Sequence, residues 1–307
     1  MIRSQHYWRN LALFTVLVIL IGTVSGGVWL AHARAMALVH PARLVSSRTP
    51  TDQGIANWEN ISFTTSDGLE LKGWFIPPDP RNRAAFVFAH GLGNDRTELL
   101  DEAAMLARHG YGALLIDLRN HGASQGTITT LGFLEVEDIR GAVAYLSGRS
   151  EVDLHRIGLL GHSMGAATVL RAAARISTAR VVIAESAYTS LADNIAEGVQ
   201  GLIGLPPIPF APLLIWFGER ETGMNIQQVR PIDDMPQISP RGVMLIHGAQ
   251  DPIVPVRNAQ QLYQAAREPK QIYIVPNAGH NFLFAANPQE FEIQVIDFIT
   301  RADVLGK

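Results

Sequence analysis

A strand, a sharp turn carrying a serine and a helix follow one another between Arg156 and Leu170, RIGLLGHSMGAATVL. Ile157 to Leu160 is an apolar run of the length of a buried parallel strand. Gly161-His162-Ser163-Met164-Gly165 follows, and Ala166 to Ala174 is rich in strong helix formers. A serine thrown clear of a sheet on so tight a turn needs a strained backbone, and side chains two positions before and after it would clash. Glycines stand at both positions. The helix beginning beside Ser163 also turns free N–H groups and the positive end of its dipole toward the hydroxyl, where an oxyanion would form. This is the context in which a GxSxG pattern marks a nucleophile. The alternative is an ordinary strand-to-helix turn with a capping serine.

The rest of the chain narrows the chemistry. Its 307 residues carry a net charge of −3 with no run of one sign, which offers nothing to nucleic acid. Cysteine is absent, so disulfides, thiol nucleophiles and thiolate metal sites are excluded. No HExxH pattern or tight His/Asp/Glu cluster calls for a metal, and no motif calls for another cofactor.

Leu11 to Ala31 has no charged residue and matches the hydrocarbon thickness of a bilayer. We read residues 1–34 as a single-pass membrane anchor. Cleavage of a signal peptide near Ala33 is the alternative, since Ala31-His32-Ala33 has the small-x-small form; the apolar core is longer than signal peptides carry. Arginines flank both ends, so the side of the membrane stays open. Residues 35–57 read as a linker, and residues 58–307 as one α/β domain.

Within that domain, Asp67-Gly68 between two strand-like runs signals a hairpin. Short apolar strands then alternate with helical patterns, which implies a mostly parallel sheet. Ala84 to Ala89 leads into His90-Gly91-Leu92-Gly93-Asn94, a loop whose backbone can supply half of an oxyanion hole through the Leu92 amide, with Met164 supplying the other half. Asp117 and His121 read as a polar loop held by its own side chains. Residues 190–235 interrupt the alternation with five prolines and the apolar patch Ile208 to Phe217. That segment reads as a lid, whose apolar residues line a pocket, pack on the domain or touch a bilayer. Alternation resumes with strands at Gly242 to His247 and Gln271 to Val275, with Asp251 in the loop after the first and His280 in the loop after the second. Both loops fall on the sheet edge that carries Ser163, so the three can meet. Asp233 and Asp234 are rivals to Asp251, and His90, His162 and His247 to His280.

With GHSMG, HGLGN, HGAQDPIVP and AGH in this order, the stretch from about Trp58 to Thr300 resembles the α/β-hydrolases, most closely serine hydrolases related to acylglycerol lipases and prolyl-peptidase-like enzymes. The resemblance implies an eight-stranded sheet flanked by helices, with a lid after the sixth strand. It implies Ser163 as nucleophile, His280 as general base and Asp251 as its partner, with an oxyanion hole from the Leu92 and Met164 amides. The implied reaction is hydrolysis of a small-molecule or lipid ester through an acyl-serine, without cofactor. A peptidase or acylaminoacyl hydrolase of the same fold is one alternative, and a non-catalytic binding module on this scaffold is another.

Overall fold

A computed structural model describes residues 2–301; Met1 and residues 302–307, at the outer ends of the expected anchor and domain, lie outside the described residues. Eight strands form one sheet: β1 (Glu59–Thr64), β2 (Glu70–Ile76), β3 (Ala85–Ala89), β4 (Gly112–Ile116), β5 (Ile157–His162), β6 (Ala179–Glu185), β7 (Gly242–Gly248) and β8 (Lys270–Val275). Their order is β1-β2-β4-β3-β5-β6-β7-β8. The sheet is mixed: β2 runs antiparallel to both neighbours, β1 and β4, and every other pairing is parallel. The Asp67-Gly68 turn joins β1 to β2, with Gly68 at a φ of 88°, and Thr65 Oγ1 donates to Asp67 across it at 2.6 Å.

Every residue of β3, β4, β5 and β7 is buried, as continuous apolar strands must be when both sheet faces are covered. Alternate residues feed opposite cores. Ala85, Val87 and Ala89 of β3 meet α3 (Glu135–Ser147) and α4 (Met164–Arg175) on one face. Phe86 and Phe88 meet α2 (Leu100–Arg108) and the C-terminal helix Pro288–Arg301 on the other, where Phe291, Val295, Phe298 and Ile299 point inward.

Between β6 and β7 the expected lid consists of α5 (Leu191–Ile203), α6 (Pro207–Thr222) and α7 (Pro231–Ile238). The N-terminal helix α1 (Ile2–Val39) runs beyond the apolar segment into the stretch read as linker. Tertiary contact explains the extra turns: Ala31, Ala35 and Val39, spaced four apart on one face, are all buried. By length and composition α1 is able to cross a bilayer, with an 18-residue window of mean hydropathy 2.3 that is entirely unburied.

Candidate active site

Ser163 sits at the tip of the turn between β5 and α4 with φ 53° and ψ −115°, a conformation non-glycine residues rarely adopt. Its flanking glycines have steric reasons. A Cβ at Gly165 would collide with the Ala89 carbonyl, and one at Gly161 with the Gly165 carbonyl. The Ser163 amide donates to the Glu185 carbonyl at 2.8 Å, fixing the turn to the end of β6.

The loops after β7 and β8 bring Asp251 and His280 to this serine. His280 Nε2 lies 2.9 Å from Ser163 Oγ, and His280 Nδ1 lies 2.7 Å from Asp251 Oδ2. Asp251 Oδ1 accepts the amides of Ile253 and Val254 at 2.8 and 2.9 Å. Burial alone would raise the Asp251 carboxyl. The donors from His247, His280 and the Val254 amide outweigh it and hold the group well below the usual carboxylate range. A permanently ionised Asp251 requires the proton of His280 on Nδ1, which leaves Nε2 free to accept from the serine. The three side chains thus form one continuous hydrogen-bonded series ending at Ser163 Oγ.

Among the described residues none of the rivals is hydrogen-bonded to Ser163, and His247 reaches the site only through Asp251, at 3.2 Å. Asp233 pairs with Arg230 at 2.7 Å, and Asp234 with Arg175 and Arg171. Asp117 accepts from Arg96 and the Ala123 amide, a polar loop closed on itself. His90 Nε2 accepts the Leu118 amide at 3.0 Å, and His247 Nε2 faces the Val254 carbonyl at 2.7 Å.

Leu92 and Met164 both border the cavity above Ser163, and neither amide has a hydrogen-bond partner among the described residues. The loop carrying Leu92 is held by three hydrogen bonds to two side chains. The Gly91 amide and the Asn94 side chain donate to Glu98, and the Gly93 amide donates to His121 Nε2 at 3.1 Å. Burial, with His90 nearby, lowers the His121 pKa to about 4, so its ring stays neutral and able to accept.

Sequence reasoning did not single out Glu98 or give His162 a role. His162 Nε2 donates to the His280 carbonyl at 2.9 Å, and Nδ1 stands 3.3 Å from Glu98 Oε1. Burial opposes its charge, but the Glu98 carboxylate raises its pKa to about 9. Glu98 thus ties the loop of Leu92, through His162, to the loop of His280. Ser186 donates to the same His280 carbonyl at 3.0 Å.

The cavity has a volume of about 690 Å³. Leu131, Leu191, Ile195, Val199, Leu214 and Ile253 give it apolar walls. Of the Ile208 to Phe217 patch, Leu214 faces the cavity and packs with Ala31 of α1, whereas Ile208 and Trp216 are exposed.

Residues 86–292 match the model of the alpha/beta hydrolase family. The chain belongs to this family. Among relatives of this hydrolase, the uncharacterized protein YfhR of Escherichia coli K12 is 30% identical over 251 residues, spanning 80% of this chain and 81% of its own. The Pyrococcus furiosus esterase Pf2001 superposes with a TM-score of 0.72 at 25% identity, over 86% of this chain and 98% of its own. A Pyrococcus horikoshii acylaminoacyl peptidase shares the fold, with a TM-score of 0.62 at 20% identity over 80% of this chain and 41% of its own. Family and fold support hydrolase activity on a small-molecule substrate.

Proposed function

We propose that this hydrolase cleaves carboxylic esters through an acyl-serine intermediate and is retained at a membrane by α1. The observation that carries this reading is the hydrogen-bonded series Ser163–His280–Asp251 at the floor of an apolar cavity. Ser163 Oγ attacks the ester carbonyl carbon while His280 Nε2 takes its proton. The carbonyl oxygen becomes an oxyanion between the Leu92 and Met164 amides, at the N-terminus of α4. Collapse expels the alcohol, which receives the proton from His280. Water, deprotonated by the same nitrogen, then releases the carboxylic acid and restores Ser163.

Likeness to the Pyrococcus furiosus esterase supports an ester over an amide. A fluorophosphonate probe should label the wild-type chain at Ser163 and leave Ser163→Ala unlabelled. That variant should retain less than about a thousandth of the wild-type kcat, because losing a triad nucleophile costs several orders of magnitude. Labelling at another residue, or a variant keeping a tenth of the rate, refutes the assignment. Turnover of p-nitrophenyl esters from acetyl to palmitoyl, set against an acylaminoacyl p-nitroanilide, decides between ester and amide.

A further inference from the structure

The helix with the composition of a membrane span also forms part of the wall of the cavity above Ser163. Arg34, Ala37 and Leu38 of α1 line that cavity together with Ser163, His280 and Leu92. The helix is unbroken from Ile2 to Val39, so one element carries both the apolar run and the cavity wall. At 1.5 Å per residue, these three residues stand only about 5 to 11 Å beyond Ala31, where the apolar run ends. The rim of the cavity is thereby set at headgroup depth if α1 spans the bilayer.

Helix α6 sits at the same level. A Cβ on Gly27 would rest against the Phe210 ring. The rings of His32 and Phe217 meet edge to face at 4.9 Å, and His40 Nε2 lies 2.9 Å from Glu221. Two contacts in ascending order on both helices, and a third from His40 just past the end of α1, mean that α6 runs alongside α1 in the same direction. Phe210, close to the start of α6, is therefore level with Gly27, about 6 Å inside the apolar run. Ile208, 79% exposed, is at this submerged end, and Trp216, 52% exposed, is near the level of His32. An aliphatic side chain at hydrocarbon depth and a tryptophan at the boundary are what a bilayer interface favours.

Resting on the ester-hydrolase reading above, we infer that α1 is a substrate-binding wall as well as an anchor, and that the substrate is a long-chain acyl ester resident in the bilayer. The ester passes from the leaflet into the cavity along α1 and α6 without crossing water. The acyl chain stays against Leu38, Ile195, Val199 and Leu214 as its carbonyl reaches Ser163.

The test uses the full chain reconstituted in phosphatidylcholine vesicles. Umbelliferyl palmitate is supplied either in the protein's own vesicles or in separate ones, and soluble umbelliferyl acetate reports the chemistry alone. Palmitate in the same bilayer should turn over at least about tenfold faster than palmitate in separate vesicles. Ala37→Trp narrows the cavity from α1 at an exposed position, and Ile208→Glu puts a charge on the submerged end of α6. Each should lower the palmitate-to-acetate rate ratio by about tenfold or more, with an unchanged melting temperature confirming the fold. Equal rates from the two vesicle populations overturn entry from the bilayer, and an unaltered ratio in Ala37→Trp overturns the wall. Failure to hydrolyse acetate or to accept the fluorophosphonate would refute the ester-hydrolase reading itself.

Discussion

Both ring nitrogens of His162 face acceptors, the His280 carbonyl and the Glu98 carboxylate, so this buried imidazole is held as a cation. Its pKa of about 9 lies above the unfolded value near 6.5. The stability it contributes is therefore complete below pH 6.5 and lost as pH rises through 9. Glu185, which burial pushes up to about 7, also costs stability as it ionises, but at lower pH. His162 contributes a decline on the order of 2 kcal/mol between pH 7 and 9, to which Glu102, which burial and the neighbouring Glu185 raise well above the usual carboxyl range, adds in the same direction. Melting temperatures across that range should fall more steeply for the wild type than for His162→Gln; parallel curves would mean that His162 does not titrate there. Asp251 behaves oppositely. Its depressed pKa contributes stability above the unfolded carboxyl value near 3.9, lost as pH falls below it. For catalysis, Asp251→Asn lets His280 carry its proton on the wrong nitrogen. We expect kcat to fall by about 10³ to 10⁴ with KM little changed. Asp117→Asn, in the self-contained loop with Arg96, should cost less than about tenfold; a larger loss there than at Asp251 would transfer the acidic role to β4.

Glycine shows how an element decides what a residue does. Gly165, in the first turn of α4, lies against the end of β3, where an added Cβ would collide with the Ala89 and His90 carbonyls. Neither end can yield, so Gly165→Ala should cost at least about 3 kcal/mol or prevent folding. Gly218 lies within α6 with nothing within 4 Å of an added Cβ. The same substitution there should stabilise by roughly 0.5 to 1 kcal/mol through helix propensity. Denaturation midpoints of the two variants test this, and shifts of the same sign would contradict the packing described. This elbow is legible in sequence because its constraint is local: strand, turn and helix lie within twenty residues of one another. The meeting of Ser163, Asp251 and His280 is legible at longer range, because parallel strands deliver their following loops to one edge of a sheet. Glu98 is different. Nothing near it in sequence reports that its carboxylate faces a histidine 64 positions away. The reach of α1 to Val39 is hidden for the same reason, since an all-round apolar helix carries no periodic signal for the face that meets a lid.

Taken whole, the molecule is a sheet whose Ser163 edge is overlain by α5 and α6, and these helices pack on the N-terminal helix. Ala31 packs against Val199, Ala211 and Leu214. The Val39 carbonyl accepts the Thr129 amide at 2.8 Å and the Asn120 side chain at 3.2 Å. The last two turns of α1 therefore belong to the folded unit, whereas residues 6 to 20 touch little of it and are exposed throughout. Two shortened chains separate these roles. One beginning at Ala31 keeps all three buried residues of α1 and should be soluble, with acetate turnover near that of the full chain. One beginning at Arg43 leaves Val199, Ala211 and Leu214 uncovered and removes both bonds to the Val39 carbonyl. Loss of the buried Val39 side chain alone is worth about 1.5 to 3 kcal/mol, so this chain should melt lower and self-associate through its bared lid. The proposed preference for long acyl chains should vanish with the loss of α1 from the cavity. Size-exclusion chromatography, melting temperature and the ester-length profile of the two chains give the answer together. Identical behaviour would make the contact between α1 and the lid incidental, and the helix a tether and nothing more.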